Sequence, residues 1–325
     1  MQANAPNSDA NEAAPVAPEA FAVVIAIATF RRPEGLARAL ESVAEQRVPA
    51  GLRVRALVVN NAADDRAPHA IATRIARENG LAVTVVDEPR PGVAHARNRA
   101  LAIARAEAPF VAFLDDDEEA PAGWIAALLD GLARFDAEVA TGTVLSAFET
   151  EPPRWVRAGR FFDRPERATG ARRPWAFTGN VLLRTAALAR LGDDERAWFD
   201  PSFAQGEDRD FFTRLARAGA RIVWVAEEPP VERVPPARTT AAWLVARMGG
   251  IGRSTARVER RVRGARVVPL LLAKSAVWIA IGLAQSVAGL AVGRATRVHG
   301  RRSIAYGAGL AAGALAPSPS ASEAS

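Results

Sequence analysis

Apolar residues recur along the first two thirds of the chain in short unbroken runs, each followed by a segment with helical spacing. Phe21 to Ala28 is apolar throughout and predicts a strand buried on both faces, the pattern of a parallel sheet. It ends in Thr29-Phe30-Arg31-Arg32-Pro33, after which Leu36, Leu40 and Val43 fall on one face of a helix. Val54 to Val59 predicts a second strand, ending in Asn60-Asn61-Ala62-Ala63-Asp64-Asp65. A helix over about 67–79 and a short strand, Val83 to Val86, come next. Pro89-Arg90-Pro91-Gly92 makes a turn, and Val93 to Ala106 reads as a helix carrying His95, Arg97, Asn98 and Arg99 early on. A fourth strand, Phe110 to Leu114, runs straight into Asp115, Asp116, Asp117, Glu118 and Glu119. Four strand–helix alternations predict a three-layer α/β/α sandwich on a parallel sheet. Four polar strand ends then share one rim.

The later pattern is less regular. A helix from Pro121 to about Phe135 precedes a strand, Val139 to Thr143, and residues 146–176 read as irregular, with Trp155, Phe161, Phe162 and Trp175. Aromatics in such a loop line a pocket or form a satellite core, and the sequence favours neither. Phe177-Thr178-Gly179-Asn180 leads into a Val-Leu-Leu strand. Gly206-Glu207-Asp208-Arg209-Asp210 opens a helix with Phe211, Phe212 and Leu215 apolar, and Arg221 to Ala226 predicts a last strand.

Chemistry concentrates at the strand ends. Ligands of open α/β sheets bind beyond the carboxyl ends of the strands, where the run from Asp115 to Glu119 falls. Carboxylates this dense repel one another unless protons or a cation neutralise them. Asp115 and Asp117 could converge on a hard divalent ion, Mg²⁺ or Mn²⁺; the same run also serves as a solvated acidic turn before a helix. The first strand carries no glycine-rich turn and no phosphate loop, which removes the dinucleotide-binding and Walker-type readings.

Composition narrows the class. In 325 residues there are 42 basic and 36 acidic side chains, a net charge of +6, and every basic residue except Lys274 is an arginine. The arginines are dispersed except near 253–266 and 294–302, flanking an apolar segment, which fits a membrane surface rather than nucleic acid. With no cysteine, disulfides and thiolate metal sites are excluded. Residues 1–20 lack the basic and apolar regions of a signal peptide and read, like 317–325, as a disordered tail.

Together these segments resemble the family 2 glycosyltransferases, nucleotide-sugar-dependent enzymes of GT-A fold, over roughly residues 21–255. The parts that carry the likeness stand in the family's order: Thr29 to Pro33; Asn60 to Asp65; Gly92 to Asn98; Leu114 to Asp117; Thr178-Gly179-Asn180; and Gly206 to Asp210. The tail, with Arg238-Thr-Thr-Ala-Ala-Trp243 and Gly252-Arg253-Ser254, looks like the bacterial exopolysaccharide branch. The resemblance implies that Asp115 and Asp117 form an Asp-x-Asp motif, Asp117 on the metal and Asp115 nearer the ribose. It implies that Thr29, Phe30, Arg31, Asn60, Arg97, Asp115 and Asp116 hold the nucleotide, and that Asp208 is the base of an inverting transfer. Glu207, Gly179, Asn180 and Asp210 would face sugar or acceptor. The family usually carries Asp where Asn60 stands. Some members place a histidine after the last strand, where this chain has Pro230-Val231-Glu232-Arg233, with Glu232 a substitute ligand. His69, His95 and His299 have no part in this scheme; His69 and His299 read as surface residues.

An inverting displacement needs a base for the acceptor hydroxyl's proton and a charge acceptor for the diphosphate leaving group. A helix N-terminus favours Asp208 ionised. Val267 to Val292 is apolar and long enough to span a bilayer, and Ser303 to Ala316 is a second apolar stretch. With arginines on both flanks, a hairpin or interfacial helices over 256–316 would keep both flanks on the cytoplasmic membrane face; a packed soluble extension is the alternative. The expectation is a Mn²⁺- or Mg²⁺-dependent enzyme moving a sugar, UDP-linked by preference, to a polysaccharide or lipid-linked glycan. A nucleotidyltransferase and a non-catalytic nucleotide- or glycan-binding protein are the rivals.

Overall fold

The computed structural model describes residues 22–316 except 165, 193 and 195–197; both expected tails lie outside the described residues. Strand β1 (Val23–Thr29), helix α1 (Pro33–Ala44), β2 (Val54–Asn60), α2 (Ala67–Asn79), β3 (Val83–Asp87), α3 (Val93–Glu107) and β4 (Phe110–Phe113) alternate as the sequence predicts. In β1, Val23, Ile25 and Ile27 pack with Leu36, Leu40 and Val43 of α1, while Val24 and Ala26 pack with α3 on the opposite face. The period of two thus serves two apolar layers at once, which is why the strand is apolar at every position.

The second half departs from the expectation of a parallel sheet. After β4 come β5 (Glu118–Glu119), α4 (Trp124–Arg134), β6 (Val139–Thr141), β7 (Leu145–Phe148), α5 (Arg154–Ala158), β8 (Arg172–Arg173), β9 (Val181–Arg184), α6 (Glu207–Arg217), β10 (Ile222–Trp224) and β11 (Val231–Val234). The main sheet runs β3-β2-β1-β4-β9-β6-β10-β8. β9 is antiparallel to both β4 and β6, and β8 is antiparallel to β10. A small second sheet, β5-β11-β7, crosses the rim. The acidic run therefore does not lead directly into a helix: Glu118 and Glu119 pair with Glu232 and Val231, and α4 starts at Trp124. Segment 146–176, expected to be irregular, contains β7, α5 and β8, and Pro230 to Arg233 becomes β11. These strands are two to four residues long, too short for alternation to reveal them.

Helices α7 (Ala241–Arg263), α8 (Val268–Val292) and α9 (Arg294–Leu315) complete the chain, with α7 running unbroken through position 255. α9 lies between the other two. Glycines set the spacing: Gly252 of α7 abuts the Tyr306 carbonyl of α9 at a distance no side chain allows, as Gly300 does the Gly282 carbonyl of α8. Ser275 Oγ donates to Gly307 O at 2.7 Å. His299, expected at the surface, is half-buried. Its ring stacks on Phe161 at 4.3 Å and its Nε2 is 2.8 Å from Gly159 O, tying α9 to the loop after α5.

Candidate active site

The rim over β1, β2 and β3 is built by register. Thr29 pairs with Asn60, and Asn60 with Asp87. Asn60 is fully buried and uses its whole amide within the chain: Nδ2 donates to Asp65 O at 3.0 Å and Asp87 Oδ1 at 2.9 Å, and Oδ1 accepts from Ala62 N. These bonds shape the loop after β2. Asn61 staples that loop to the next one, donating to Glu88 O and Arg90 O and accepting from Gly92 N. Phe30 stands 56% exposed at the edge, available for stacking. Arg31, in the left-handed region at φ 54°, reaches Asp64 at 2.7 Å.

The acidic turn is held by residues from three distant segments. Thr29 Oγ1 donates to Asp116 Oδ2 at 2.8 Å, and Arg32 Nη1 reaches Asp116 at 3.0 Å and Asp117 at 2.8 Å. Burial pushes the Asp116 carboxyl up, opposed by the Arg32 guanidinium and the Thr29 hydroxyl. Thr29 and Asp116 thus bind each other. Arg238, on the turn after β11, reaches Asp117 at 2.9 Å and also bonds Glu232. Glu118 is buried and accepts from Asp115 N at 3.0 Å. Its carboxyl is pushed well up by burial first and by the charge of Asp115, Asp117 and Glu232. Gly179 leaves room for it, since a side chain there would overlap the Glu118 carboxylate. Asn180, expected toward the acceptor, is 2% exposed and engaged at both ends of its amide, with Trp124 Nε1 and with Thr143 O.

Facing this turn, Gly206 at φ 87° opens α6, and an added Cβ would stand 2.6 Å from Ser254 Cβ of α7. Glu207 is buried and bonds Arg97, whose other branch reaches Asp115 at 3.1 Å. One guanidinium therefore joins the acidic turn to the start of α6. Asp210, fully buried, accepts from Arg214 at 2.8 Å and Arg261 at 3.2 Å and so ties α6 to α7. Asp208 alone of the three carboxylates keeps partial exposure and no guanidinium hydrogen bond. Burial raises its pKa to about 6, helped by the neighbouring charge of Glu207 and opposed by Arg97 and the Arg209 N–H. The helix terminus does not hold this carboxyl low. A base working near neutral pH needs a pKa near that value.

The structure thus brings Asp115, Asp116, Asp117, Arg97, Glu207 and Asp208 together and turns Asn60, Asn180 and Asp210 inward. Sequence reading missed Arg32, Glu118 and Arg238 as parts of the site, although Arg32 and Arg238 lie inside the quoted motifs. Among the described residues no three His, Asp or Glu side chains converge on one point as a closed metal site. The donor chemistry still fits a hard divalent ion, since Asp115 and Asp117 offer carboxylate oxygens on one turn. Glu232 is pushed up by burial and by Asp117, against Arg238.

An Asp-rich turn beyond a mixed α/β sheet, facing a helix that opens with two carboxylates, defines a glycosyltransferase of GT-A architecture. Residues 24–192 match the family described as glycosyl transferase family 2. The succinoglycan biosynthesis protein ExoM of Rhizobium meliloti (strain 1021) is 34% identical over 241 residues, 74% of this chain and 76% of that protein. The chain belongs to glycosyltransferase family 2 and is a glycosyltransferase. Solved structures share the fold. The mannosyltransferase PcManGT of Pyrobaculum calidifontis, in complex with GDP-Man and Mn²⁺, superposes with a TM-score of 0.61 at 21% identity, covering 90% of this chain and 87% of that one. S. aureus TarS 1–349 in complex with UDP-GlcNAc gives 0.52 at 14% identity, covering 87% and 90%. A longer TarS chain is matched over 43% of its length and 74% of this chain.

Proposed function

We propose that this glycosyltransferase moves a sugar from a nucleotide-diphosphate donor, UDP-linked by preference, to a polysaccharide or lipid-linked glycan, with inversion and with Asp208 as base. The observation that carries the reading is the Asp208 carboxyl: partly open, with a pKa of about 6, and joined through Glu207 and Arg97 to Asp115 on the acidic turn. In the reaction the acceptor oxygen forms a bond to the anomeric carbon as the bond to the diphosphate breaks. The acceptor proton passes to Asp208 and the nucleoside diphosphate departs. Asp115 and Asp117 would hold Mn²⁺ or Mg²⁺, which supplies positive charge to the leaving diphosphate. Arg32 and Arg238 already neutralise Asp117 and share that electrostatic task. PcManGT and TarS were solved with GDP-Man and UDP-GlcNAc, which supports a nucleotide-sugar donor here.

Residues 21–255 would form the transferase domain and 256–316 its membrane-associating part. α8 is long and apolar enough to cross a bilayer, yet it lies along α9, and α9 along α7. Its outer face exposes Trp278, Ile281, Leu283, Val287 and Leu290. Exposed Arg263, Arg266, Arg294 and Arg297 stand at its two ends. This arrangement suits a helix lying in the plane of the cytoplasmic membrane face, apolar side down and arginines toward anionic headgroups.

The test is calorimetric binding of UDP, GDP and dTDP, with and without Mn²⁺, to wild type and Asp117→Ala. One nucleotide should bind in a metal-dependent way that Asp117→Ala removes. Binding of none would end the nucleotide-sugar reading. Loss of sugar transfer in Asp208→Asn separates this enzyme from a nucleotidyltransferase and from a binding protein, neither of which needs that base.

A further inference from the structure

A cavity of about 980 Å³ lies between α6, α7 and the edge strand β8. No carboxylate of the acidic turn lines it, nor do Glu207 and Asp208. It is therefore separate from the site described above. One wall is a stripe of α6: Arg209, Thr213 and Arg217 follow one another at four-residue spacing and cover about 12 Å of helix. Arg172 and Arg173 of β8 form the opposite wall, placed by pairing with Val223 and Ile222 of β10.

Its charge is unbalanced. Three lining carboxylates are already engaged: Glu138 with Arg190, Asp136 with Arg221, and Glu259 with Arg263. Arg172, Arg173, Arg209 and Arg217 line the cavity as well and form no ion pair among the described residues. Arg173 and Arg209 rest on the ring of Trp175 at 5.2 and 5.1 Å, which holds the guanidiniums in place without neutralising them. Burial and the charge of Arg167 lower the pKa of Arg173, the behaviour of a cation without a counter-ion.

The unmet groups are of one kind. Arg173 Nε, Arg209 Nε and Thr213 Oγ1 are buried with no hydrogen-bond partner, a rare condition in a folded chain, and all three can donate. An occupant that satisfies them accepts hydrogen bonds and carries negative charge. Sugar hydroxyls would also need acceptors, and the carboxylates here are taken. Phosphate therefore fits better than a glycan bearing carboxylates, and planar guanidiniums match phosphate oxygens bidentately.

We propose that this groove binds several phosphate groups at once, with Arg172, Arg173, Arg209 and Arg217 on their oxygens, at a site distinct from that of the donor nucleotide. An occupant bridging the two walls clamps α6, the helix that Glu207 and Asp208 open, to the edge of the sheet. The proposal does not depend on which donor or acceptor the enzyme uses. A narrower cavity of about 400 Å³ continues from Arg217 and Arg263 past Arg266 to Leu270, at the start of α8. A free oligophosphate and the headgroups of an anionic bilayer offer the same oxygens, and the test separates them.

The experiment titrates tripolyphosphate into the full chain in neutral detergent at about 0.15 M salt, with EDTA present so that metal-dependent nucleotide binding is silent. It compares wild type, Arg172→Gln/Arg217→Gln, and Arg77→Gln/Arg154→Gln, a pair that loses the same charge away from the groove; all four positions are exposed. Wild type and the control pair should bind alike, and the groove pair about tenfold more weakly or worse, with Tm unchanged in the absence of ligand. Equal weakening in both pairs would reduce the effect to general attraction by a chain of net charge +6 and overturn the site, as would full binding by the groove pair. Flotation of the same proteins on phosphatidylglycerol vesicles decides the source. Flotation that depends on the groove, without tripolyphosphate binding, assigns the phosphates to headgroups; tripolyphosphate binding with equal flotation assigns them to a free oligophosphate. Oligogalacturonate binding more tightly than tripolyphosphate would overturn the choice of phosphate. Nucleotide binding with Mn²⁺ should be the same in all three proteins, and its loss in the groove pair would overturn the separation of the two sites.

Discussion

Asp208→Asn should make the protein more stable and catalytically inert, and the two effects come from one cause. The carboxyl ordinarily titrates near 3.8 and in the folded chain at about 6. A shift of about two pKa units corresponds to roughly 3 kcal/mol between the two protonation states. Part of the shift is the charge of Glu207 and some solvent reaches the side chain, so roughly 1–2 kcal/mol is the realistic share. The sign follows from linkage. A raised carboxyl favours the folded state while protonated, below about pH 4, and that advantage is lost as pH rises through about 6. At pH 7.5 wild type therefore carries the full cost of an ionised, half-buried Asp208. Asparagine removes the charge and keeps an oxygen for the Arg209 N–H, which Asp208 accepts at 2.6 Å. Thermal unfolding at pH 7.5 should show a Tm higher by roughly 2–8 °C, at about 2–4 °C per kcal/mol, with the difference vanishing at pH 4. Nucleoside diphosphate release in the presence of acceptor should fall by about 10²- to 10⁴-fold. In wild type it should rise with pH up to about 6 and then level off. A variant Tm at or below that of wild type at pH 7.5, or an equal gain at pH 4, would refute the argument.

Gly35→Ala should loosen the acidic turn. A Cβ there overlaps the Asp116 backbone carbonyl, and moving that residue would disturb the bonds its carboxylate accepts from Thr29 and Arg32. We expect a loss of roughly 1–3 kcal/mol in chemical denaturation and weaker nucleotide binding by calorimetry; an unchanged variant would show that α1 and the turn do not approach so closely. Val287→Asp with Leu290→Asp places two charges on positions 68% and 74% exposed on α8. Flotation with anionic vesicles should be lost while Tm stays unchanged, and persistent flotation would remove α8 as the membrane contact.

The early fold was legible because its signals are local. In β1 to β4 the apolar runs, and in α1 the spacing of Leu36, Leu40 and Val43, depend only on which face each residue shows to a layer. The Asp-rich turn and the Gly206-Glu207-Asp208 opening of α6 were visible for the same reason: each is a contiguous segment at an element's end. The long apolar run of α8 likewise marked a long helix. What tertiary structure decided is how the polar groups are satisfied. Arg32, Arg97 and Arg238 meet Asp117 and Glu207 from 85 to 121 residues away, and no spacing rule reaches that far. Asn60, Asn180 and Asp210 look as available in sequence as Asp208, but each is buried and bonded to other parts of the fold. The pKa of Asp208 and the face of α8 that α9 leaves uncovered share that origin. Burial and charge are properties of neighbours, and the neighbours are chosen only when the chain folds.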